Sequence, residues 1–170
     1  KTAERGLREF MAGKPQTGYM VEVEQPDVML WAIWAIQQYD KHAGRQKCSQ
    51  MYVKLLKDII YFILDDKHPN LVVKDNGLLY TEGREKAVTW MNSTVNGHPV
   101  VPRTGYIVEF NALWYNALKF SADVAAYSND HVAAEKLETL ADQCRTSFVA
   151  TFLNQYGYLF DYVGGAEADW

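Results

Sequence analysis

Hydrolytic sugar chemistry needs two carboxyl groups flanking a bond, one to protonate the leaving oxygen and one to activate water or attack carbon. Asp27 and Glu109 are the carboxylates best placed for such work, because each falls at the start of a helix with a strongly apolar body. Capping the helix and complementing its dipole would account for both equally well, at under about 1 kcal/mol each. Arg103 precedes Glu109 by six residues, and Asn111, Trp114 and Tyr115 follow it. A guanidinium fork, an acceptor, an amide and aromatic faces are what a polyhydroxylated ring requires, although a surface salt bridge would serve Arg103 too. The four histidines and two cysteines have no ligand spacing, so no metal site is expected.

The elements that must carry these residues are helices. Asp27 to Ala43 contains nine successive apolar residues, Val28 to Ile36, with Asp27 at the N-cap position and Gly44 as the stop. A helix apolar nearly all round is expected to be buried on most sides. Lys47 to Asp66 spaces Cys48, Met51, Tyr52, Leu55, Leu56, Ile59, Ile60 and Ile63 by three and four, an amphipathic outer helix. A third helix begins near Glu109 with Phe110, Leu113, Trp114, Ala117, Leu118 and Val124 on its stripe, and a fourth spans about His131 to Leu153. Leu7, Phe10 and Met11 suggest a short helix at the start. The pattern is a buried helix followed by an amphipathic one, twice over, the plan of helical bundles, solenoids and α/α toroids.

Between the second and third helices lies an excursion over 69–108. Asn76-Gly77 and Asn96-Gly97 are hairpin turn signals between short apolar runs, and long ordered excursions of this kind usually carry function. A last strand is expected at Tyr158-Leu159-Phe160, followed by a frayed GGAEADW end.

Composition narrows the function classes. With 170 residues, 48% hydrophobic and 22% charged, the chain can bury a sizeable core. A formal charge of −4 without basic runs argues against nucleic acid as partner. No stretch approaches the roughly 20 apolar residues that span a bilayer, so no membrane is expected. Cys48 and Cys144 fall on apolar helix faces and read as reduced core thiols, which with the absence of a leader-like start suits a cytoplasmic location. A chain opening at Lys1 is expected to belong to something longer. Aromatic content is high at 14%, and some of these rings are available to stack on sugars.

Several runs resemble the glucosidase (amylo-α-1,6-glucosidase) domain of the glycogen debranching enzyme family. Thr89-Trp90-Met91-Asn92, Pro102-Arg103-Thr104-Gly105 and Val108 to Leu118 (VEFNALWYNAL) look like that family's TWMD, PR-x-G and VE-x-NALWYNAL, at similar spacing. Asp27-Val28-Met29-Leu30-Trp31 resembles its D-x-x-LW helix start, Gly77 to Tyr80 its GL-x-Y, and Gly157 to Asp161 its GYLYD. The likeness covers most of the chain, is strong in the Thr89 to Leu118 block and is weak over the first 25 residues.

The resemblance implies an all-α fold with small β-hairpins, part of an (α/α)6 toroid, over the whole of 1–170. It implies hydrolysis of branch-point α-1,6-linked glucose with inversion and without a cofactor, and a glucan or oligosaccharide substrate. Glu109 and the position of Asn92, where the family carries the Asp taken as general acid, are the implied catalytic residues. Asp27, Trp31, Trp90, Arg103, Asn111, Trp114 and Tyr115 are the implied substrate contacts. Five helices supply only one side of a twelve-helix ring, so the isolated segment is expected to be inactive and to pair, as a homodimer, through its open side. Two other readings stay open: a catalytically silent glucan-binding homologue, favoured by Asn92, and another α/α-toroid glycosidase of the trehalase type.

Overall fold

The computed structural model describes residues 2–14, 25–83 and 87–164. Five helices dominate: α1 (Thr2–Met11), α2 (Pro26–Ala43), α3 (Arg45–Leu64), α4 (Val108–Tyr127) and α5 (His131–Phe152). Six two-residue strands pair antiparallel: β1 (Val72–Val73) with β2 (Leu79–Tyr80), β3 (Thr94–Val95) with β4 (His98–Pro99), and β5 (Tyr106–Ile107) with β6 (Tyr162–Val163). The mostly helical architecture with small hairpins agrees with the expected class.

α4 is the central helix. Phe110, Trp114, Ala117, Leu118, Phe120 and Val124 are all buried as it packs against α2, α3 and α5. α3 is the amphipathic layer, contributing Leu55, Leu56, Ile59, Ile60 and Ile63 to the core. α5 lays Leu137, Ala141, Cys144 and Phe152 along α4. Both cysteines are buried free thiols.

Three expectations need correction. α2 buries Met29, Leu30, Ile33 and Ile36 but leaves Trp31 and Trp34 46% and 42% exposed, because α3 and α4 cover only part of its apolar circumference. Asp27 lies inside the first turn and not at the N-cap, which is Gln25; Pro26 takes the first helical position, where its missing N–H costs nothing. Tyr158 to Phe160 forms no regular strand but a single bridge, Leu153 to Leu159, and the strand that pairs is β6. The expected frayed end, from residue 165 onward, lies outside the described residues.

The described parts of the excursion are held by its turns and by the helices beneath it. Asn96 and Gly97 both have positive φ, 52° and 83°, the twist that a two-residue hairpin needs. The β1–β2 loop is held from below: Gln143 donates to the Asp75 carbonyl at 2.6 Å and Ser147 to that of Asn76 at 2.7 Å. Thr81 and Gly105 then exchange main-chain hydrogen bonds of 3.0 and 2.7 Å, which brings the segment carrying Arg103 alongside β2. Gly83 passes so close to Thr104 that a Cβ there would sit 2.4 Å from the threonine Cγ2.

Candidate active site

The site grows from the start of α4. β5 feeds directly into the helix, and its pairing with β6 fixes the entry: Val108 N–H donates to the Asp161 carbonyl at 3.0 Å. Glu109 therefore emerges in the first turn, where the helix dipole favours an anion. Arg103 meets it fork to fork, Nη1 donating to Glu109 Oε1 and Nη2 to Oε2 at 2.6 Å. Nη2 also donates to Asp161 Oδ1 at 2.6 Å. The guanidinium is 2% exposed, the Glu109 side chain 26% and Asp161 49%, so a buried cation presents two carboxylates toward the surface.

Burial opposes the Arg103 charge, but the hydrogen bonds and charges of Glu109 and Asp161 outweigh it and hold the guanidinium above the ordinary arginine range. Because one nitrogen serves Glu109 Oε2 and Asp161 Oδ1, each at 2.6 Å, these oxygens are no farther apart than twice that length. That is closer than the roughly 6.5–9.5 Å of an inverting carboxyl pair, and both oxygens face the same cation. Neither is arranged to deliver a proton.

Asp27 supplies the contrast. It is buried, and its Oδ1 has no hydrogen-bond partner. Desolvation, with the nearby negative charge of Glu109, pushes its carboxyl above the usual carboxylate range against the lowering effect of its own and Val28's main-chain N–H groups. A buried carboxylate oxygen without a partner is uncommon, and it marks Asp27 as a candidate functional group.

The other expected residues divide by position. Asn111 is completely buried: it accepts from Leu79 N–H at 2.7 Å and donates to the Leu79 and Ile107 carbonyls at 3.0 Å each. Trp114 is equally buried and donates its indole N–H to the Gly77 carbonyl at 3.2 Å. In this structure both tie the β1–β2 hairpin to α4 from beneath the surface rather than offering a face to a ligand. Trp31 stands edge-on to Trp34 with centroids 5.6 Å apart. Trp90 is 68% exposed and Asn92 is exposed, both in the loop before β3. Tyr115 lines a groove between α4 and α5 with Arg145, Phe148 and Val149. No hydrogen bond or ring contact among the described residues joins Trp31, Trp90, Asn92 or Tyr115 to the Arg103–Glu109 pair. Asp161 is the residue that sequence reasoning left out of the site; its only signal is its place at the end of the Gly157 to Asp161 run.

Among the described residues no group of three His, Cys, Asp or Glu side chains is placed to hold a metal ion, and no helix is long and apolar enough to cross a membrane. A family model described as amylo-alpha-1,6-glucosidase matches residues 13–169. The chain belongs to the amylo-alpha-1,6-glucosidase family. No curated protein and no solved structure was found to match it. Membership makes this a domain of a glycosidase-type enzyme family, with carbohydrate as the class of substrate, and the match takes in every residue that builds the site.

Proposed function

We propose that this chain forms one wall of the glucose site of an inverting α-1,6-glucosidase of the glycogen-debranching type, as part of an (α/α)6 toroid. The observation that carries the reading is Glu109 held on the buried Arg103 fork at the start of α4, with a second carboxylate, the buried Asp27 at the start of α2, near enough to feel its charge. In this reading Glu109, oriented by the Arg103 fork, accepts hydrogen bonds from the sugar and stabilises positive charge developing at the anomeric carbon. Asp27 accepts a glucose hydroxyl on its unpartnered oxygen. The exposed Trp90 and Trp31, and Tyr115 in its groove, offer flat faces to sugar rings of a longer glucan. Asn111 and Trp114 act from below, by fixing the floor on which Glu109 stands.

A full inverting site needs an acid and a base about 6.5–9.5 Å apart. In this reading Glu109 and Asp27 supply one side of it, and the position that resembles the family's acid is Asn92, an exposed amide with no titratable proton. Loss of a positioned acid costs on the order of 10²–10⁴ in rate. That single residue favours the second reading, a glucan-binding homologue without turnover.

Glucose release from a branched limit dextrin, measured with Asn92 and with Asn92→Asp, separates the two. Release that rises on Asn92→Asp and collapses on Glu109→Gln supports the hydrolase. Retention of isomaltose with no glucose release by either form supports the binding reading, and absence of both activity and binding sinks the assignment to a sugar site.

A further inference from the structure

We propose that Asp161 is a positioning residue for Glu109, acting through Arg103 and through the main chain at the start of α4; this rests on the glucosidase reading of the site. Asp161 lies 52 residues beyond Glu109 in the chain and reaches it by two routes. Its carbonyl accepts from Val108 N–H at 3.0 Å, one residue before Glu109, and so fixes the helix entry. Its carboxylate accepts from Arg103 Nη2 at 2.6 Å, on the nitrogen that also holds Glu109 Oε2.

The second route matters because Arg103 Nε has no hydrogen-bond partner. The plane of the guanidinium is therefore set only at its two Nη atoms. Glu109 holds both of them, but a two-point fork against one mobile carboxylate can pivot as a unit. Asp161 supplies the third point, attached to β6 instead of α4, and so refers the Arg103–Glu109 pair to a separate element. Its side chain is 49% exposed, and an ion pair so wetted contributes little to stability. Its effect falls on geometry: a small misplacement of a group that acts on the transition state is enough to change rate by an order of magnitude or more.

Asp161→Ala removes the 2.6 Å carboxylate contact and leaves only the longer one, 3.5 Å, from Arg103 Nη2 to the main-chain carbonyl of residue 161; Asp161→Asn keeps an oxygen acceptor of the same shape while removing the charge. Nitrogen-detected NMR of the Arg103 guanidinium in the full chain reads positioning whether or not the chain turns over substrate. Resolved Nη–H signals in the unsubstituted protein, about threefold faster solvent exchange in Asp161→Ala and partial recovery in Asp161→Asn are expected. Arg103 signals in Asp161→Ala that match the unsubstituted protein overturn the proposal. In an enzyme that releases glucose, Asp161→Ala lowers kcat about tenfold with KM within about twofold, and Asp161→Asn restores part of it. An unchanged kcat, or a change confined to KM, also overturns it. If the unsubstituted enzyme releases no glucose, the hydrolase reading fails while the arginine signals still decide the positioning role.

Discussion

Replacing Arg103 with methionine is the most direct perturbation of the carboxylate cluster, since methionine fills similar space without charge. Two charge-assisted hydrogen bonds from a buried fork contribute about 1.5–3 kcal/mol each. The Asp161 bond, half in water, adds under about 1 kcal/mol. Against these, the substitution relieves the unpartnered buried Nε, a group that costs about 1–3 kcal/mol. Glu109 keeps access to water at 26% exposure, so it is not stranded as a fully buried charge would be. The central values balance to a loss of about 3 kcal/mol. For a chain of this size each kcal/mol moves the melting midpoint by about 2–4 °C, so calorimetry should show a fall of roughly 6–12 °C. Because the guanidinium is 2% exposed, the difference from the unsubstituted chain should shrink only slightly between low and high salt. A midpoint unchanged or raised in Arg103→Met refutes the view that this cation organises the start of α4.

Other outcomes follow from the same structure. His68 is buried between Phe10 and Phe62, accepts from Asn70 N–H on Nδ1, and is pushed by desolvation down to about 4. The unfolded chain takes up that proton first, so stability is complete above pH about 6.5 and falls by up to roughly 3 kcal/mol as pH drops towards 4. Urea titrations at pH 7 and pH 4.5 should show this loss, and His68→Phe should flatten it. Asn111→Leu leaves the Leu79 N–H and two carbonyls without their buried partner and should cost about 2–4 kcal/mol in a denaturant titration; a neutral result refutes its role as the tie between hairpin and α4. Burial pushes the Cys48 and Cys144 thiols up to about 11 and about 12, so neither should react with an alkylating reagent at pH 8 until the chain unfolds. Rapid modification of the native protein, read by mass spectrometry, would contradict that packing.

Much of the fold is legible in the sequence because helix-period apolar patterning is local. Leu55, Leu56, Ile59, Ile60 and Ile63 declare the buried face of α3 by spacing alone, and Asn96-Gly97 declares its turn because few other residues accept positive φ at both positions. α2 shows where such reasoning stops. Its nine apolar residues say that the helix can be buried all round, but not that α3 and α4 leave the Trp31–Trp34 edge uncovered. β6 is hidden for a related reason: Tyr162 and Val163 are no more strand-like than Tyr158 to Phe160, and the choice is made by the partner, β5, more than fifty residues away.

The site follows the same division. Arg103 and Glu109 lie six residues apart, so the chain itself keeps the cation and the carboxylate within reach of each other. Asn111 and Trp114 sit on the same motif, yet their partners are the Leu79 and Gly77 main chains, polar contacts across more than thirty residues that leave no mark on local sequence. Residue type alone could not tell a ring or amide that faces sugar from one that pins a hairpin. Asp161 joins the cluster across 58 residues, on a contact that depends on β6 being registered against β5.

Isomaltose titration of the full chain, followed by backbone and indole NMR, tests the central claim most directly. The account predicts saturable shifts at Asp27, Arg103 and Glu109 and at the Trp90 indole, lost on Glu109→Gln without loss of fold. Shifts confined to the Trp31–Trp34 edge, or no saturable shift at Asp27 and Glu109, would contradict a glucose-facing wall at the starts of α2 and α4.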